Sequence, residues 1–144
     1  MDVSSLKLQA KFTKVGSDGC TIKGTLAGLP DGFSVANAAI SLDVGGATVD
    51  IQLNGKGSGA KRNASVKLSQ NKKTGVWTIT GKLKGDLKGS WATYGITSGT
   101  VIDGAVTFPV LVMIQSGTLE TFHAELPLSY RNTSGKSGTA TLLP

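Results

Sequence analysis

The chain has 144 residues, enough for one domain with its own core, and a formal net charge of +6. Glycine is the commonest residue at 20, glutamate occurs only as Glu120 and Glu125, and Thr, Val, Ile and Leu are plentiful. That composition excludes a helix-rich protein and points to strands joined by tight turns.

Leu6, Leu8, Ala10 and Phe12 alternate with Lys7, Gln9, Lys11 and Thr13, the pattern of a strand with one buried face. A Gly-Ser-Asp-Gly turn at 16–19 leads to a second alternation, Cys20, Ile22, Gly24 and Leu26 against Thr21, Lys23 and Thr25, and the two runs read as a β-hairpin. Leu29-Pro30-Asp31-Gly32 is a turn, and residues 34–37 read as a brief helical turn. Ile40, Leu42 and Val44 predict a third strand, Gly45-Gly46 a tight turn, and Val49, Ile51 and Leu53 a fourth strand. Residues 54–63 (NGKGSGAKRN) read as a polar connection.

Val66 and Leu68 open the next strand, with Lys67 facing out, and residues 70–75 turn the chain. Trp77, Ile79 and Leu83 then share the inner face of a further strand, opposite Thr78, Thr80, Lys82 and Lys84. Asp86 is placed to N-cap a short helix near 86–94, which Gly95 would end. Residues 106–114 predict a central strand, Gln115-Ser116-Gly117 a turn, 119–130 a long strand, and 138–143 a short final one. That final strand reads as an unpaired edge, open to addition to a neighbour's sheet.

Residues 21–28 (TIKGTLAG) are echoed by 78–85 (TITGKLKG), and the order of turns and strands around them is echoed too. The simplest physical account is a duplicated unit, with pseudo-repeats of about 5–63 and 64–143. Each copy alone exposes an apolar face; two copies packed face to face bury both. The expected fold is thus all-β, a single antiparallel sandwich domain over 1–144 of about eight or nine strands.

Candidate chemistry is sparse. His123 is the sole imidazole, and its parity sets it opposite Phe122, facing solvent. Cys20 shares the parity of Ile22 and Leu26, so it reads as a small buried hydrophobe rather than a nucleophile, and as a lone cysteine it excludes an intrachain disulfide. Glu120 and Glu125 have opposite parity, so they form no carboxylate pair on one face. One Cys and one His do not make a zinc site, and the aspartates lack calcium-loop spacing. The residues therefore predict no catalytic, cofactor or metal site.

Charge is the more informative signal. Residues 56–88 hold nine basic side chains against the single acid Asp86, whereas 89–130 hold no Lys or Arg and carry Asp103, Glu120 and Glu125. Lys61, Arg62, Lys67, Lys72, Lys73, Lys82, Lys84 and Lys88 form the candidate interaction surface. The plainer reading of these residues is a set of solvated lysines guarding strand edges and turns. Nucleic acid is a poor fit, because Trp77 lies on the core face and leaves no stacking platform.

The LKLQAKF opening, the TIKGTL strand, ISLDVGG, the LSQNKKTGVWTITGKLKGDL block and the LPLSYRNTSGKSGTATL ending resemble Ig-like β-sandwich modules of secreted and cell-surface bacterial proteins. That resemblance implies an extracellular, structural or adhesive role and carries no catalytic residues. The leading expectation is a non-enzymatic module that associates with itself, forming a homo-oligomer, filament or surface layer; the alternative is a module binding an acidic polysaccharide or other polyanion through residues 56–88. No apolar run reaches the roughly 20 residues of a membrane-spanning helix. The opening MDVSSLKLQA lacks the regions of a signal peptide, which leaves a cytoplasmic protein or a secreted module whose leader is absent from this chain.

Overall fold

A computed structural model describes residues 1–144. Ten strands follow in chain order: β1 (Asp2–Lys11), β2 (Asp18–Leu26), β3 (Ala39–Val44), β4 (Ala47–Gln52), β5 (Ser58–Lys61), β6 (Ala64–Gln70), β7 (Trp77–Gly85), β8 (Val101–Ser116), β9 (Thr118–Asn132) and β10 (Ser137–Leu142). A single helical turn, α1 (Lys88–Trp91), continues into a 3-10 turn (Ala92–Tyr94) and is ended by Gly95 in the left-handed conformation. All pairings are antiparallel, and the strands form one sheet in the order β4-β3-β8-β9-β10-β1-β2-β7-β6-β5.

The sheet curls nearly into a barrel. Its two ends, β4 and β5, are consecutive in the chain, and the turn between them is held by Asn54 N–H to Ser58 O and Gly57 N–H to Asn54 O, both 2.9 Å. At Gly59 an added Cβ would stand 2.4 Å from Gln52 O, so the two end strands lie backbone against backbone. Each edge thus covers the other, which is how a curled sheet avoids exposing unpaired strand.

Alternation explains the interior. Leu6, Leu8, Ala10, Cys20, Ile22, Leu26, Ile40, Leu42, Ile51, Val66, Leu68, Ile79 and Leu83 belong to one core of 29 buried residues. A bulge between Val3 and Ser5 puts two residues outward in succession, so that Val3 and Leu6 both point in. Small residues make room where the walls approach: at Gly81 a Cβ would meet Leu42 Cδ2 at 2.7 Å, and Gly45, with φ +61, sits directly over the ring of Phe108.

One end of the interior is closed by α1. Trp91 is fully buried, donates its indole N–H to Val44 O at 2.9 Å, and stacks edge-on with Phe108. Phe33 and Trp77 meet edge-on, ring centres 5.1 Å apart, at the opposite end of β7.

Several expectations change. The count of strands is ten in one sheet, not eight or nine, because β5 lies in the 54–63 connection. Strands from 5–63 and 64–143 interleave along this one sheet. The echoed segments pair with each other: Ile22 faces Gly81, Gly24 faces Ile79, and Lys23 faces Thr80, its own counterpart. Residues 34–37 form no helix. The last strand is not an edge, since β10 lies between β9 and β1.

The cap of α1 also differs. Leu87, not Asp86, occupies the N-cap position and makes no side-chain cap. The carboxylate comes from Asp18, whose Oδ2 accepts the N–H of Leu87 at 2.8 Å and of Lys88 at 2.9 Å, while Oδ1 accepts the N–H of Lys11 at 2.7 Å. Burial alone would raise the Asp18 carboxyl, but these three amides and the Lys88 ammonium hold it below its ordinary value. A carboxyl more acidic in the folded state contributes fully above its unfolded value and loses that contribution as pH falls through the folded one. Stability should therefore drop below about pH 4 in denaturant titrations. Asp18→Ala should cost about 3 kcal/mol at neutral pH and flatten that acid limb; an unchanged midpoint would contradict the role given to Asp18.

Candidate functional site

The lysines predicted from sequence do not form one cluster. Lys67, Lys82 and Lys84 are exposed on the outer face of β6 and β7. Lys61 and Arg62 lie at the β5–β6 turn, and Lys72 and Lys73 at the β6–β7 turn, on opposite rims about 20 Å apart by the length of β6. Lys88 leaves the surface set: its ammonium bonds Asp86 at 2.7 Å and lies 3.6 Å from Asp18. The bond to Asp86, above all, raises its pKa, against the opposing effect of desolvation and with help from Asp18.

The sheet order supplies two members that the basic segment did not contain. β1 and β2 lie beside β7 and bring Lys7 and Lys23 onto the same outer face. The signal for them was present, since both sit at outward positions of alternating strands, but the neighbour relation of β2 and β7 is not a property of either strand.

Register then sets the pattern. One row across the strands reads Thr141, Lys7, Thr21, Lys82, Ser65 and Ala60. The next reads Ser5, Lys23, Thr80, Lys67 and Ser58. In both rows a threonine separates two lysines, and the second row is displaced by one strand. None of Lys7, Lys23, Lys67, Lys82 or Lys84 has a carboxylate partner; the ion pairs of the molecule involve Lys88 and His123. Four ammonium groups thus stand on the two rows without local neutralisation. The depression between β2, β7, β6 and β5 measures about 500 Å³ and is lined by hydroxyl side chains with Lys67 and Lys82, together with Asn54, Ala60, Ile22, Val66 and two glycines.

The other half of the wall has the opposite character. β3, β4 and β8 contain no Lys or Arg, and β9 contains only Arg131 near its end. Asp50 and Glu125 are exposed there, and Asp43 accepts the Gly46 N–H and the Thr48 hydroxyl. The absence of basic residues from 89–130 in sequence therefore maps onto a contiguous region in space.

The chemical candidates are dispersed. His123 faces outward on β9, with Nε2 3.1 Å from Glu125 Oε1 and both side chains more than half exposed. Cys20 points into the core from β2, so the two are on opposite sides of the wall. Glu120 and Glu125 fall in opposite-facing register, against Ile114 and Pro109 respectively. No group of three His, Cys, Asp or Glu side chains is placed to hold a metal ion. Burial pushes the Cys20 thiol up to about 12. It should resist a thiol reagent in the native protein at pH 8 and react fully once denatured; rapid native labelling would show that the β2 strand opens.

Comparison with protein-family models, with curated proteins and with solved structures returned no match.

Proposed function

We propose that the chain is a non-enzymatic interaction module whose working surface is the Lys/Thr face of β1, β2, β7 and β6, and whose ligand is an acidic polysaccharide or another polyanion. One observation carries the reading: Lys7, Lys23, Lys67 and Lys82 are brought into two adjacent rows by strand register, with no carboxylate among them. Unpaired lysines that merely keep a protein soluble need no common face, and paired ones would be neutralised by neighbours. The extracellular or cell-surface setting implied by the Ig-like resemblance is part of the proposal, as is a flattened form of the barrel in which the cationic and acidic halves face each other as in a sandwich.

The protein should be retained on a heparin-type resin at low salt and elute as salt rises, since charge contacts between exposed groups are screened. Replacing Lys7, Lys23, Lys67 and Lys82 by Gln should abolish retention. The same change at Lys61, Arg62, Lys72 and Lys73 should lower the elution salt by less. Equal elution of both variants and the parent would refute the assignment of the face.

A second reading is favoured by the opposed signs of the two halves. A cationic face of one copy set on the Asp43, Asp50 and Glu125 region of the next is a head-to-tail contact, which generates rings or filaments. Addition of a strand at β10 is not available to this assembly, because β10 is paired on both sides. Light scattering should then show particle mass rising as salt is lowered; a constant monomer mass would remove this reading and leave the first intact.

A further inference from the structure

The two rows also say something about the spacing of charge on the ligand. This step rests on the polyanion reading. Lys7 and Lys82 are separated by the strand that carries Thr21, and Lys23 and Lys67 by the strand that carries Thr80. Two strand spacings set the backbone positions of successive lysines ~9.6 Å apart across the sheet. Between them lies a hydroxyl rather than another charge.

Thr21, Ser58, Ser65, Lys67, Thr80 and Lys82 are among the residues that line the depression over β2, β7, β6 and β5, beside apolar and glycine neighbours. The side-chain hydroxyls that form hydrogen bonds within the protein are elsewhere, on Ser4, Ser34, Thr48, Thr74, Ser116, Thr118, Tyr130 and Ser134. The four hydroxyls of the depression are thus free to donate and accept. An alternation of ammonium and free hydroxyl matches a chain in which anionic groups alternate with neutral, hydroxyl-bearing units. A polyphosphate, with charge on every unit, can accept from these hydroxyls but has no hydroxyl of its own to donate to them. No aromatic side chain lies on the rows or in the depression, so a nucleic-acid base has nothing to stack on.

We infer that this depression is a subsite for a neutral sugar unit of a linear acidic polysaccharide whose flanking anionic groups reach Lys67 and Lys82, with Thr21 and Thr80 reading its ring hydroxyls.

The test compares hyaluronan oligosaccharides, in which charged and uncharged sugars alternate, with inorganic polyphosphate of equal charge, by calorimetric titration of the full chain. The parent should bind hyaluronan about tenfold more tightly, the worth of a small number of hydrogen bonds. Thr21→Val with Thr80→Val keeps the β-branched shape that a strand favours, and an unchanged thermal midpoint checks the fold. That variant should lose the tenfold preference, with hyaluronan affinity falling by more than polyphosphate affinity. Lys67→Gln with Lys82→Gln should weaken both ligands. Equal or tighter binding of polyphosphate by the parent, or an unaltered preference in the threonine variant, overturns the subsite and leaves the polyanion reading standing. Binding of neither ligand by the parent overturns both.

Discussion

In a sheet that turns back upon itself, a side chain has only an inside and an outside to occupy. The features of the wall follow from that constraint. Placing Leu8 and Ile22 inward commits Lys7, Thr21 and Lys23 outward, and a slip of one residue would exchange the two sets. The bulge near Ser5 shows how tightly the rule is kept: the chain admits an extra outward residue so that Val3 and Leu6 can both stay in the core. The position of the cationic face is thus set by the same alternation that builds the interior, and its rows are as well determined as the core register.

The exception is the closed end, where the chain leaves the sheet. Helix α1 is too short to stabilise itself, and its first amides would be orphaned beside Trp91. Asp18 resolves this by accepting from both β1 and the helix start, so one carboxylate ties the β1–β2 hairpin to the plug. Trp91 completes the tie through Val44 O. Buried polar groups at this end are therefore partnered, consistent with the absence of any buried side-chain donor or acceptor left without one.

Local pattern and long-range order were unequally legible. Strand parity was readable wherever an apolar residue recurred every second position, which is why the inward sets of β1, β2, β3, β6 and β7 and the Gly95 stop agree with expectation. β5 was hidden because Ser58–Lys61 carries no large apolar residue to alternate; its place is set by pairing with β6 and by close approach to β4. Asp86 looked like a cap by proximity, yet the carboxylate that does the work lies 70 residues away from Lys88. The basic segment was visible as composition, but its conversion into a face needed the adjacency of β2 and β7, and that adjacency both added Lys7 and Lys23 and dispersed Lys61, Arg62, Lys72 and Lys73 to the rims.

The pairing of β1 with β10 has a consequence for how the wall is assembled. β2 with β7 and β3 with β8 are likewise joined across long stretches of chain, so loop closure must precede much of the stabilisation, and such topologies fold slowly. Before β10 docks, the outer edge of β1 is a row of unsatisfied amides beside the apolar strip of Leu6, Leu8 and Ala10. Half-built walls of this kind invite pairing with other chains. The lysines on β1, β2, β6 and β7 are in position as soon as those strands form, and they make unfinished copies repel one another while the last strand finds its place.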